Sequence, residues 1–198
     1  FTALLSFLSV LCAALFGYKN IAFSNEKSAN EGNVKYLGTI INHQWSKSSE
    51  LEKMFKGFCE KYLIKNLNYF SYLRNYGELE ISKMFVKYQK YFPVFSSCNA
   101  GAKVGEKWCG KCPKCLFVYL TLYPYLKGKQ LLKIFGNDLF ENKNLMPIMK
   151  ELVGKGIHKP FECVGTYKES KRAFKLCLKK SQKLGQIPYL LKKSHVFK

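Results

Sequence analysis

Cys98, Cys109, Cys112 and Cys115 constrain this chain more than any other feature. Two residues separate Cys109 from Cys112 and Cys112 from Cys115, and ten lie between Cys98 and Cys109. Such short connections let the sulfurs converge on one ion, and four thiolates at this spacing close a tetrahedron around zinc. Gly110 permits a tight turn between two ligands. Lys103, Lys107, Lys111 and Lys114 offset the negative charge of a four-thiolate site. A closed site of this kind leaves no coordination position for substrate, so the zinc would be a structural staple. An iron–sulfur cluster and unligated, reduced thiols are the alternatives that the spacing leaves open.

The 198 residues suit one domain, or one domain with an appendage, and a composition 47% hydrophobic and 16% aromatic can build a sizeable core. Cys12, Cys59, Cys163 and Cys177 are scattered and suggest no disulfide framework. With a thiolate metal site, that points to the reducing cytoplasm. The net charge of +20 invites a nucleic-acid reading. Only Arg74 and Arg172 are arginine, however, against 31 lysines spread over the whole chain and densest from Lys171 to Lys198. Phosphate-reading surfaces use clustered Arg as well as Lys, so no dedicated nucleic-acid partner is expected.

The chain starts at Phe1 inside an apolar run that reaches Phe16. It lacks the basic leader and small-residue cleavage site of a signal peptide. It is also shorter than the ~20 apolar residues of a membrane span, so no membrane association is expected and a buried helix over 2–16 ended by Gly17 fits better. Residues upstream are expected to be missing. Tyr18 to Ser24 reads as a short buried strand, and helix, glycine, strand is half of an α/β repeat. Ligands in such folds bind beyond the carboxyl ends of strands, where Ser24 to Glu31 is dense in polar groups.

Val34–Tyr36 and Thr39–Asn42 flank Leu37-Gly38 as a small hairpin. Ser49 and Glu52 form a capping-box pattern for a helix over about 50–65, with Leu51, Met54, Phe55, Phe58 and Tyr62 on one face. A second helix is predicted over about 77–91. Val94 to Ser97 reads as an extended lead into the cysteine loop. Pro113 opens a buried helix over 115–125, and helices near 128–135 and 143–152 follow. Thr166 and Glu169 form another capping box, for a helix to about Lys180. The tail from Gln182 is a final helix or a loose end.

Several side chains could carry chemistry. Arg74 is rare here, and its planar fork grips a carboxylate or phosphate bidentately. An ion pair to Glu78 or Glu80 is the structural alternative. Glu26 and Glu31 suit magnesium, ribose or general-base work. His43, in Asn42-His-Gln44, suits proton transfer or substrate orientation. Cys163 is a possible thiol acid/base, or a small buried residue. The chain contains no glycine-rich phosphate loop, so any such cradle lies outside it.

Six segments occur in order: Ser24-Asn-Glu-Lys-Ser-Ala-Asn-Glu-Gly-Asn33, Asn42-His-Gln-Trp-Ser-Lys-Ser48, Tyr72-Leu-Arg74, Phe95-Ser-Ser-Cys-Asn99, Trp108-Cys-Gly-Lys-Cys-Pro-Lys-Cys115 and Lys159-Pro-Phe-Glu-Cys-Val-Gly165. Together they resemble the C-terminal half of the bacterial ATP-dependent UDP-N-acetylmuramoyl-L-alanyl-L-glutamate epimerases, over about residues 1–180. The cysteine loop is also similar to that of 7-cyano-7-deazaguanine synthase, another enzyme of the ATP-pyrophosphatase (PP-loop) superfamily. The resemblance implies a helix-rich α/β fold, the C-terminal part of a PP-loop domain with a four-cysteine zinc loop and following helices. Residues 1–95 would complete the catalytic domain, and 96–198 would be its zinc-loop and helical portion. It implies ATP and Mg²⁺ as cofactors beside structural Zn²⁺, with the UDP-N-acetylmuramoyl dipeptide as substrate. Asn25, Glu26, Ser28, Asn30 and Glu31 would line the nucleotide site. Arg74 would grip a carboxylate or phosphate. His43, Gln44 and Ser46 would orient the glutamyl group, with His43 or Cys163 moving the proton. Without a phosphate loop the chain alone would be inactive. A PP-loop enzyme modifying a nucleobase or tRNA, and a zinc-containing nucleic-acid module, are the competing readings.

Overall fold

Fifteen residues without charge, proline or glycine, Thr2–Phe16, form α1, and Gly17 ends it in the left-handed conformation at φ 71°. The computed structural model describes residues 1–32 and 34–197. Asn33, which closes the first polar segment, and Lys198, the end of the basic tail, lie outside them. Two compact units result, Phe1–Gly77 and Glu78–Lys198. The 95/96 boundary expected from the sequence falls inside the second unit.

In the first unit, α1 is followed by β1 (Asn20–Phe23), a hairpin of β2 (Val34–Tyr36) and β3 (Thr39–Ile41), α2 (Ser49–Phe58) and β4 (Asn68–Ser71). The hairpin forms as expected, with Leu37 at φ 45° and Gly38 at φ 79° supplying its two-residue turn. β1 and β4 pair in parallel, Asn20 opposite Asn68 and Phe23 opposite Ser71. Parallel neighbours need a crossover, and the hairpin and α2 provide it.

The expectation of a buried α1 is corrected. Only Ser6, Val10 and Ala13 are buried, while Leu4, Phe7, Leu11 and Leu15 are exposed. One stripe alone packs, onto Ile21, Phe55, Cys59 and Tyr69. The Ser6 hydroxyl lies 2.7 Å from the Tyr69 hydroxyl and fixes the helix against β4. The capping box at Ser49 is also corrected. Ser48 is the N-cap, accepting from the Leu51 N–H, and Glu52 is drawn to other partners. α2 ends at Phe58 and continues as a wider π-helical turn, Cys59–Leu63. Of its predicted apolar face only Phe55 is buried, and Met54, Phe58 and Tyr62 face solvent.

In the second unit, α3 (Glu78–Phe85) stops six residues short of the predicted end, and a 3-10 turn, Gln89–Tyr91, follows. Val94 to Ser97 leads into the cysteine loop without forming a strand. α4 (Asn99–Lys103) lies within that loop, and α5 (Pro113–Leu122) opens on Pro113. α6 (Gly128–Phe135), α7 (Met146–Leu152), α8 (Tyr167–Lys183) and α9 (Lys193–Val196) complete the chain. α5 is apolar nearly all round because α3, α6, α7 and α8 surround it. Leu116, Phe117, Tyr119, Leu120 and Leu122 are the middle of one core. Its polar atoms are matched: Tyr119 donates to Asp138 at 2.8 Å, and the Tyr123 and Ser181 hydroxyls lie 3.0 Å apart. The Thr166–Glu169 capping box forms, and α8 runs on to Lys183. No described helix is long and apolar enough to cross a membrane.

Candidate active site and metal centre

Because β1 and β4 are parallel, both leave the sheet at one edge, and both leave through polar loops. Ser24 to Glu31 follows β1, and Tyr72 to Tyr76 follows β4. Asn42 to Ser48, after the hairpin, completes the cluster. Its hydrogen bonds converge on Ser71, the last residue of β4. Asn25 Nδ2 donates to Ser71 Oγ at 3.0 Å, and the Ser71 hydroxyl donates to the Glu52 carboxylate. Arg74 ties the remaining pieces together. Its Nη1 donates to the Glu26 carbonyl at 3.1 Å. Its Nη2 donates to the Lys47 carbonyl at 2.8 Å, to Glu52 Oε2 at 2.9 Å and to Ser71 Oγ at 3.2 Å. The ion-pair partner is therefore Glu52, where the sequence pointed to Glu78 or Glu80.

The loops are also stitched to each other. Asn42 Nδ2 donates to the Ala29 carbonyl at 2.8 Å, and Asn30 Oδ1 accepts from the Ser49 N–H at 2.8 Å and its hydroxyl at 3.0 Å. The Gln44 N–H bonds Asn42 Oδ1 at 2.9 Å. Asn25, Ser28 and Gln44 are buried, and Glu26, Glu31, His43, Ser46 and Arg74 are half-buried. Among the described residues, the buried Gln44 Oε1 and Arg74 Nε have no hydrogen-bond partner. Burial pushes the Glu52 carboxyl up, but the Ser71 hydroxyl and the Arg74 guanidinium outweigh it and hold it below its ordinary value.

Besides the four metal-site cysteines, ten residues stand out in the sequence, and nine of them sit on these three loops in the first unit: Asn25, Glu26, Ser28, Asn30, Glu31, His43, Gln44, Ser46 and Arg74. The tenth, Cys163, belongs to the second unit, where its carbonyl accepts from Lys114. Sequence reasoning missed Ser71 and Glu52. Ser71 ends β4, a strand that no local sequence signal announces, and Glu52 reads locally as part of a helix cap.

The cysteine loop closes as its spacing demanded. The four sulfurs lie within 4.8 Å of one another. Cys98 and Cys112 are 3.7 Å apart, Cys109 and Cys115 3.8 Å, and Cys112 and Cys115 3.5 Å. A tetrahedron with metal–sulfur bonds of about 2.3 Å has edges of about 3.8 Å, so the donor set can hold a metal ion and is compatible with zinc. Backbone N–H groups point at the sulfurs, Gly101 to Cys98 at 3.1 Å and Cys115 to Cys112 at 3.4 Å. Cys98 and Cys112 are the N-caps of α4 and α5, a position that favours negative charge. The hydrogen bond from Cys115 draws the Cys112 thiol down to about 5. The same bond, with burial, pushes Cys115 up. Gly110 turns at φ 66°, and a Cβ on Gly101 would stand 2.7 Å from the Glu106 carbonyl oxygen.

The first unit thus carries a polar loop cluster and the second a closed four-cysteine loop. The profile of the MurL N-terminal domain matches residues 1–72, and that of the MurL C-terminal domain matches residues 94–193. The chain belongs to the MurL family. Curated relatives are named UDP-N-acetyl-alpha-D-muramoyl-L-alanyl-L-glutamate epimerase. One, from Micromonospora sp. (strain ATCC 39149 / NRRL 15099 / SCC 1413), is 39% identical over 184 residues, covering 91% of this chain and 41% of the relative. Another, from Salinispora tropica, is 40% identical over 178 residues, covering 88% and 39%. A third, from Xanthomonas oryzae pv. oryzae, is 38% identical over 177 residues, covering 87% and 39%. The chain thus spans about two fifths of the length of these relatives. No solved structure matches it.

Proposed function

We propose that this chain is part of an ATP-dependent epimerase that inverts the terminal L-glutamate of UDP-N-acetylmuramoyl-L-alanyl-L-glutamate in cytoplasmic peptidoglycan precursor synthesis. The observation that carries the reading is the loop cluster at the carboxyl edge of β1 and β4, with Gln44 Oε1 and Arg74 Nε buried and unpartnered. Buried polar atoms without a partner are uncommon and mark where a polar ligand can complete the bonding. The name shared by the family relatives supplies the substrate.

The chemistry needs activation. Beside a free carboxylate an α-proton is very weakly acidic, because the carbanion would form next to a negative charge. Joining the carboxylate to AMP, with release of pyrophosphate, removes that charge and lets the carbonyl delocalise the developing enolate. A base then takes the α-proton, a proton returns to the opposite face, and water releases AMP. His43 is the first choice for moving the proton and Cys163 the second. Asn25, Ser28 and Asn30 line the nucleotide side, with Glu26 and Glu31 offered to Mg²⁺. Gln44 and Ser46 orient the glutamyl group. Arg74 is chiefly a positioning residue, its terminal nitrogens holding the loops and its Nε left for a substrate oxygen. A PP-loop architecture, completed by the remaining length of the protein, would supply the phosphate cradle. Zinc at the four cysteines would stabilise the loop. Their close spacing favours one ion over a cluster, which spreads its thiolates over separate irons.

The test is chiral analysis of the glutamyl residue after full-length protein is incubated with the nucleotide dipeptide, Mg²⁺ and ATP. D-Glutamate appearing only with ATP, with one AMP formed per activation, supports the reading. ATP cleavage without inversion, or failure of His43→Ala to lower the rate, overturns the substrate or the proton-transfer assignment respectively.

A further inference from the structure

The chain uses arginine twice, and its second arginine lines a cavity of about 520 Å³ in the second unit. Arg172, Leu176, Lys179, Lys180 and Lys183 form one face of α8, and Leu79, Glu80 and Lys83 one face of α3. Pro124 and Tyr125, just beyond α5, close the end. Leu79, Leu176 and the Tyr125 ring make an apolar floor. Lys180 is committed to structure: its Nζ donates to the Tyr123 carbonyl at 2.6 Å and to that of Leu126. That leaves Lys83, Arg172, Lys179 and Lys183 at the rim against the single carboxylate of Glu80.

We propose that this groove binds the nucleoside diphosphate end of the substrate, a diphosphate held by the rim cations and a planar pyrimidine base laid on Tyr125 and Pro124. Its volume falls in the range of about 300–1,000 Å³ usual for small-ligand sites. An apolar floor with a few convergent polar groups suits a ligand that is part ring and part anion. A planar guanidinium engages phosphate oxygens in pairs, which an ammonium does not, so arginine at this place in a lysine-rich chain has a chemical reason. Burial pushes the Tyr125 hydroxyl up and the Arg172 charge pulls it back, which puts the ring within the field of the rim. A groove of this size takes about one nucleotide, so an extended nucleic acid is the weaker fit. The presence of a diphosphate site stands on the groove's own residues, and the choice of uridine rests on the epimerase reading.

Calorimetric titration of the full-length protein with UDP, without ATP or dipeptide, tests it. Arg172→Ala is expected to weaken UDP binding about tenfold or more, the loss of a charge-assisted contact. Lys179→Ala with Lys183→Ala should do likewise, while Lys168→Ala, elsewhere on α8, should leave it unchanged. The three substituted rim positions, Arg172, Lys179 and Lys183, are exposed, so folding should be retained, which thermal melting checks. Absence of UDP binding overturns the proposal, as does UDP affinity indifferent to the rim variants. It is also overturned if the same variants weaken a single-stranded RNA 20-mer but not UDP. None of these results bears on the glutamyl inversion, which is read separately.

Discussion

Replacing Arg74 with alanine should loosen the whole loop cluster at the carboxyl edge of β1 and β4. The guanidinium reaches the Glu26 and Lys47 carbonyls, the Glu52 carboxylate and the Ser71 hydroxyl, so the truncation strands acceptors from four segments at once. The Arg74 and Glu52 side chains are 15% and 20% exposed, so water can reach part of the carboxylate left behind. Removing one partner of a fully buried pair costs about 3–5 kcal/mol, and with this partial exposure the expected loss is about 2–4 kcal/mol. Arg74→Lys keeps the charge but not the fork, and should recover less than half of the loss. The assay is amide hydrogen exchange over residues 24–31 and 42–48, read beside urea unfolding. Protection in both loops should fall together, whereas Arg172→Ala should change stability by less than about 0.5 kcal/mol. A loss below about 1 kcal/mol for Arg74→Ala, or unchanged protection in the two loops, would refute the clasp.

Three further outcomes follow from the same geometry. Cys115→Ser, at a fully buried sulfur, should abolish stoichiometric metal binding by elemental analysis, and undiminished metal content would disprove the four-cysteine centre. Gly101→Ala should cost about 1–3 kcal/mol in denaturant unfolding and lower metal retention, because the added Cβ meets the Glu106 carbonyl at 2.7 Å. Folding lowers the Glu52 pKa, so the stability it contributes is complete above its ordinary value of 4.5 and drains away as pH falls through the lower folded value. Glu52→Gln should flatten that acid limb of a stability profile, and an unaltered slope would show the carboxyl to be unperturbed.

The cysteine loop was legible because metal ligation depends on spacing along the chain, and spacing is what a sequence displays. The Leu37-Gly38 hairpin and the Thr166–Glu169 cap were legible for a related reason, since local backbone chemistry decides both. The polar loop after β1 could be placed because the helix, glycine and strand before it carry their own local signals. What escaped was long-range partnership. Glu52 had two uses, a cap close by and Arg74 across the fold, and only packing chooses between them. The apolar run of α1 similarly said helix but not how much of it would be covered. Ser71 carried no local signal at all, yet three side chains meet there.

If ATP-driven activation makes the glutamyl α-proton removable, that proton should exchange with solvent during inversion. The full-length protein would be incubated with ATP, Mg²⁺ and UDP-N-acetylmuramoyl-L-alanyl-L-glutamate in D₂O, and deuterium located by NMR. Deuterium is expected at the glutamyl α-carbon of the D product, and only when ATP is present. Inversion without deuterium from solvent, or exchange that proceeds equally without ATP, would rule the proposed activation out.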